Sequence, residues 1–276
     1  MVSEIQVRAI TSAIGADVAG LDLRRPLETP QRDTLTNALR EHLLLVFRDQ
    51  ALSPAELVAF GEALGELAQH PFAPVHPEYP GMVVLDQQHP VGEGADAWHA
   101  DATFTPAPPA VGILQPVQLP SLGGDTCFAS MVAAYEALSP PLQALLEKLQ
   151  GVHDLTSQLR LAIDNGSTEL DLQEMQERWP PHAHPAVITQ PVNGRKGLFV
   201  NSNYTIRLEG LREEESRRLL AFLREHVRSP EFQLRVHWEL GTVAVWDNRF
   251  VQHFAVPDYR ERRVMHRLNL AGGPPT

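Results

Sequence analysis

The chain has 276 residues, 43% hydrophobic and 21% charged, enough to bury a full core, which excludes disordered, collagen-like and small-scaffold readings. Lys plus Arg 23 against Asp plus Glu 34 gives a formal net charge of −11 with no Arg-rich run. Nucleic-acid binding through phosphate neutralisation is therefore not expected, while a local cationic pocket for a small anion remains compatible. Cys127 is the only cysteine, so an internal disulfide and a Cys-built zinc site are both excluded, and any metal must be held by His and carboxylate. The opening MVSEIQVRAITSAIGADVAG lacks the plan of a secretory signal, and no stretch reaches ~18 continuous apolar residues. A soluble, cytoplasmic protein of one domain, 1–276, without membrane or nucleic-acid partners, is expected.

The alternation over 5–10 predicts a strand, with a second over 16–19 between Gly15 and Gly20. Leu35, Ala38, Leu39 and His42 stand at helical spacing and predict a helix over 31–42, followed by a buried strand over 43–47. Ser53-Pro54-Ala55-Glu56 supplies a capping Ser, a Pro in the first turn and a Glu three residues after the cap. A helix over 54–64 follows. Strands are predicted over 82–85, 111–117 and 126–130, then a helix opened by Ser139-Pro140 and carrying Leu142, Leu145, Leu146 and Leu149. The pattern weakens over 154–184, which reads as an interrupted helix in an insertion or mobile lid. The last third gives strands over 186–190, 197–201, 233–238, 242–246 and 264–270, and a helix over 213–227. Strands seldom alternate with helices, so a doubly wound sheet is disfavoured and a double-sheet β roll with flanking helices fits better.

His99-Ala100-Asp101 places an imidazole and a carboxylate two residues apart, on one face of an extended segment. Alone this is a weak pattern. The segment VWDNRFVQHFAVPDYRERRVMHR adds His253, Arg263 and Arg267. Two His and one carboxylate are the ligand set that binds one face of a ferrous ion and leaves positions open. Arginines four apart on one strand share a face, and their guanidinium forks suit a carboxylate or sulfonate-like group. The same ligand types could hold zinc in a hydrolase, and a non-catalytic anion-binding β roll is the other alternative.

The ordered blocks WHADATF, LPSLGGDTCFASM, RKGLFVN before Tyr204, and VWDNRFVQHFAV through RRVMHR resemble the taurine dioxygenase family of Fe(II)/2-oxoglutarate-dependent dioxygenases over most of the chain. The resemblance implies an α+β fold with a double-stranded β-helix (jelly-roll) core and flanking helices. It also implies Fe(II) as the metal, 2-oxoglutarate and dioxygen as cosubstrates, a small anionic organic substrate, and a homo-oligomer, dimer or tetramer. By position, His99, Asp101 and His253 are the expected iron ligands and catalytic centre. Thr126 and Arg263 are expected on the distal carboxylate of 2-oxoglutarate, and Arg267 on the substrate anion or the metal-side carboxylate. His70, Ala95, Ala102, Phe104 and Tyr204 join Arg267 as the expected substrate contacts.

Ala73 and Ala95 stand where the taurine enzymes carry Tyr and Asn, and Tyr204 where they carry Phe. Losing those polar partners disfavours an ammonium-bearing substrate such as taurine. It favours an alkyl sulfonate or alkyl sulfate ester, with an aryloxyalkanoate or other carboxylate as the alternative. Trp98, Trp238 and Trp246 are expected in the core, and His76, His89, His182 and His184 facing solvent.

Overall fold

In the computed structural model of the chain, residues 5–70, 73–87, 97–166 and 168–276 are described. Its framework is an eight-stranded sheet. Seven strands run in the order Gln6–Ala9, Ala16–Ala19, Leu44–Phe47, Val243–Asp247, Val111–Gln118, Arg263–Leu270 and Leu67–Ala68, and Met82–Gln87 joins Arg263–Leu270 along the same edge. Every pairing is antiparallel except that of Ala16–Ala19 with Leu44–Phe47. A three-stranded antiparallel sheet, Gln233–Val236, Thr126–Ser130 and Val251–Ala255, faces it.

The period of two along each strand sorts the core into layers. On the strand Val243–Asp247, Ala244 and Trp246 point to the facing sheet, where they meet Phe128, Val236 and Val251. Val243 and Val245 point the other way, onto Leu35, Leu57 and Phe60 of the helices Thr29–His42 and Pro54–Leu64. The strand Arg263–Leu270 behaves alike, with Met265 in the inter-sheet layer and Leu268 and Leu270 under the helices. An α+β architecture results, with both faces of the large sheet covered.

The helix Pro54–Leu64 begins where its cap predicts: Ser53 Oγ accepts from the Glu56 N–H, and the Glu56 carboxylate accepts from the Ser53 N–H at 2.7 Å. Leu43 ends the preceding helix in the left-handed region, with φ 63°, so the strand starts one residue later than the apolar run suggests. The helix after Ser139 stops at Leu146, short of the predicted Leu149.

Within 154–184 the chain forms two helices, Thr156–Asp164 and Leu172–Arg178, and then the strand His182–Pro185. Leu155, Leu159 and Met175 pack on Ala102, Phe104 and Tyr204, so this segment has its own apolar contact with the region after Asp101. Among the described residues, the elements that escaped the sequence pattern include the helix Met131–Glu136 and the strands Gln150–His153, Thr205–Leu208 and Val251–Ala255. The first three residues of the last strand are buried whichever way they point, which erases the polar alternation that marks a half-exposed strand.

The expectation that His184 faces solvent is corrected: it is 2% exposed and a ring nitrogen lies 3.0 Å from the Thr105 carbonyl oxygen. Burial of the strand that carries it overrides the polar, Pro-rich local sequence. His182 and His76 are half-buried, the latter against His266 with ring centroids 5.6 Å apart; His89 and Ala95 lie outside the described residues. Trp98, Trp238 and Trp246 are core residues, as expected.

Candidate metal centre

Two segments far apart in sequence are zipped together here. The His99 N–H donates to the His253 carbonyl at 3.1 Å and the His253 N–H to the His99 carbonyl at 2.8 Å, which sets the two imidazoles 4.2 Å apart between centroids. Asp101, two residues on, turns its carboxylate to the same point. His99 Nε2 and His253 Nε2 lie 3.8 and 3.9 Å from Asp101 Oδ1, and one ligand atom from each of the three residues falls within 4.8 Å of the others. All three are buried.

The donor chemistry suits a divalent metal. His99 Nδ1 lies 2.7 Å from the Ala97 carbonyl oxygen, which fixes the proton on Nδ1 and leaves the Nε2 lone pair for a metal. Burial first, and His99 second, push the His253 pKa down to about 3, so its imidazole is neutral at physiological pH. Burial alone would raise the Asp101 carboxyl, but the Arg267 guanidinium and the imidazoles of His253 and His99 outweigh it and hold it well below the carboxylate range. Asp101 Oδ2 is buried with no hydrogen-bond partner among the described residues, an open acceptor of the kind a cation satisfies.

Arg263 and Arg267 project from one face of their strand, as predicted. Arg267 Nη1 donates to Asp101 Oδ1 at 3.0 Å. Arg263, 2% exposed, donates through Nε to the Gly124 carbonyl at 2.9 Å and reaches Thr126 Oγ1 at 3.4 Å. Thr126 also accepts from the Trp238 indole N–H at 3.0 Å. Burial pulls the Arg263 pKa down from its ordinary value, and no carboxylate neutralises it directly among the described contacts. A buried guanidinium of this kind is a ready anion anchor. The turn beneath it is held by Asp258, which accepts the Gly124 N–H at 2.8 Å and pairs with Arg235 at 2.9 Å. Sequence reading passed over Asp258 and Asn248 and took Trp238 for a core residue only, since each works through backbone or a neighbouring side chain.

A cavity of about 580 Å³ opens beside Ala102, the residue after Asp101, lined among the described residues by His70, Thr105, Pro109, Trp179, Asn269 and others. The His70 pKa is lowered to about 3, by burial of its ring and then by Arg267, so it stays neutral. Phe104 stands edge-on to Trp179, and Tyr204 packs on Phe104 with centroids 5.2 Å apart. Of the residues singled out in the sequence, His99, Asp101, His253 and Arg267 cluster, Arg263 meets Thr126, Ala102, Phe104 and Tyr204 pack in one apolar group, and His70 and Ala102 line the cavity.

Residues 6–269 match the model of the taurine catabolism dioxygenase TauD, TfdA family. The chain belongs to this family. It is 35% identical over 278 residues to an alpha-ketoglutarate-dependent sulfate ester dioxygenase of Pseudomonas putida, covering 99% of this chain and 91% of the relative. It is also 35% identical to an alkylsulfatase of Acinetobacter baylyi, covering 98% and 86%. A crystal structure of a taurine dioxygenase from Burkholderia xenovorans superposes with a TM-score of 0.84 at 32% identity, covering 99% of this chain and 91% of that one. The protein is accordingly an Fe(II)- and 2-oxoglutarate-dependent dioxygenase.

Proposed function

We propose that the enzyme hydroxylates a small alkyl sulfate ester or alkyl sulfonate at the carbon bearing the sulfur-containing group, with succinate and CO2 formed from 2-oxoglutarate. The hydroxylated product collapses to an aldehyde and releases the inorganic sulfur anion. The observation that carries this reading is the convergence of His99, Asp101 and His253 with the two buried arginines of one strand. When bound, Fe(II) supplies the oxygen activation that couples 2-oxoglutarate decarboxylation to C–H hydroxylation.

In this reading His99, Asp101 and His253 hold the metal, and Thr126 with Arg263 grips the distal carboxylate of 2-oxoglutarate. Arg267 and His70 face the substrate anion; Ala102, Phe104 and Tyr204 shape its apolar surroundings. Ala73 and Ala95 stand where the taurine enzymes carry polar residues, which leaves an ammonium group without those partners and disfavours taurine. The similarity to sulfate-ester relatives supports the sulfate class. The aryloxyalkanoate alternative draws on the aromatic pair Phe104 and Trp179 at the cavity. We read the two facing sheets as a double-stranded β-helix, the 154–184 segment as a lid, and the protein as a cytoplasmic homo-oligomer. No helix among the described residues is long and apolar enough to cross a membrane.

The test is anaerobic loading with Fe(II) and 2-oxoglutarate, then oxygen, with succinate quantified across taurine, alkyl sulfonates, alkyl sulfates and aryloxyalkanoates. Alkyl sulfates should stimulate succinate most, and Asp101→Ala should abolish it. Stimulation by aryloxyalkanoates alone would transfer the assignment to the alternative, and parent-level turnover by a folded, iron-loaded Asp101→Ala would refute the site.

A further inference from the structure

Asn248 occupies the turn between the strands Val243–Asp247 and Val251–Ala255, five residues before His253, and is 1% exposed. The turn is braced by hydrogen bonds: Asp247 accepts from the Arg249 backbone N–H and from its Nε and Nη2 at 3.1, 3.0 and 2.8 Å. From this base the Asn248 carboxamide reaches 147 residues back. Its Oδ1 accepts the Asp101 N–H at 2.8 Å, and its Nδ2 donates to the Asp101 carbonyl at 3.1 Å and to the Pro109 carbonyl at 3.0 Å. Its own backbone N–H donates to the Ala110 carbonyl at 2.9 Å.

The pair of bonds to Asp101 continues, through a side chain, the backbone pairing of His99 with His253. Beyond it the chain leaves extended geometry at Ala102, whose φ of 49° lies in the left-handed region, a conformation that costs a non-glycine residue energy and needs support around it. Part of that support is local, since the Ala102 carbonyl accepts from the Thr105 N–H and Oγ1 at 3.0 and 2.9 Å. Between the two anchor points, Asp101 and Pro109, run Ala102, Thr105, Pro106 and Ala107, all lining the cavity.

We propose that Asn248 is a positioning residue that clamps this loop at both ends, fixing the Asp101 carboxylate for the metal and the loop wall for the substrate with one side chain. Both amide donors and the acceptor are used on backbone groups, so no part of the carboxamide competes with the metal for the carboxylate. The inference rests on the metal reading above, and its test separates the two.

Metal-free parent and Asn248→Ala are titrated with Mn(II), the free ion being read by its electron paramagnetic resonance signal. Loss of an outer-shell contact to a metal ligand weakens binding on the order of 10–100-fold, and at least tenfold is expected here. Ser216→Ala, which removes a buried hydroxyl bonded to the Leu208 N–H at 2.8 Å on another sheet, serves as the control for general loosening and should keep parent affinity. Equal Mn(II) affinity in a folded Asn248→Ala overturns the clamp; a parent that binds no Mn(II) overturns the metal reading with it. Should Asn248→Ala not fold, Asn248→Asp keeps the acceptor and loses both donors, and the same tenfold criterion applies. On the parent itself, the Asp101 amide proton should exchange slowly in the metal-free protein, and rapid exchange overturns the proposal whatever the variants do.

Discussion

His153 offers a pH test of the buried frame behind the site. The residue is fully buried, with Nδ1 2.8 Å from Thr103 Oγ1 and its ring between Phe199 and His184, centroids 5.6 and 5.3 Å away. Burial, and then the His184 imidazole, lower its pKa from 6.5 to about 3. A histidine held neutral in the fold but free to protonate when unfolded gives stability that is complete above pH 6.5 and is lost as pH falls toward 3. Between pH 7 and pH 5 the unfolded chain gains most of a proton at this site and the folded chain almost none, a loss of about 2 kcal/mol. His153→Gln removes the titration. It should unfold more easily at pH 7 yet lose about 2 kcal/mol less than the parent on going to pH 5. Urea unfolding of both metal-free proteins at the two pH values measures the difference. The histidines out of contact with His153 titrate alike in both proteins and cancel. If the two pH-dependent losses agree within about 0.5 kcal/mol, His153 is not held neutral by its surroundings and the argument fails.

Two further outcomes are expected. Arg263→Ala removes a charge-assisted fork that we place on 2-oxoglutarate, worth about 3 kcal/mol, so the KM for 2-oxoglutarate should rise on the order of 100-fold with a smaller change in kcat; steady-state succinate kinetics decide it, and a KM within twofold of the parent removes Arg263 from the cosubstrate site. Gly112→Ala would set a Cβ 2.2 Å from Cζ2 of Trp246, whose ring is held by Phe128 and His253 at 5.5 and 5.0 Å. Overpacking there should cost about 1–3 kcal/mol and lower Tm by several degrees, whereas an unchanged melting curve would show that the indole moves freely.

The local signals proved reliable wherever the cause was itself local. Ser53 and Glu56 cap their helix because both partners lie within one turn, and the alternation of Gln6–Ala9 survives because one face of that strand meets solvent. The signals failed where burial depends on distant packing. Val251–Ala255 reads as no clear strand because its first three residues, both faces included, are covered by other elements. His184 reads as a surface residue because nothing near it in sequence reveals that the Thr105 carbonyl closes over it.

For the site, the residue types and their order carried the chemistry. His99 with Asp101, then His253, Arg263 and Arg267, supply the residue types for a Cys-free metal corner beside an anion fork, and the resemblance of the ordered blocks assigned their roles. What the order could not convey is how the parts meet. The His99–His253 backbone pairing, the Thr126–Trp238 bond and the Asn248 clamp on Asp101 join segments more than a hundred residues apart. Such hydrogen bonds engage backbone and neutral side chains, and so leave no periodicity or charge pattern behind. The sequence by itself determined which atoms can bind a metal and a carboxylate; the tertiary structure decided their common point, their burial and the neutral state of His253, because convergence and desolvation are properties of packing and of no single segment.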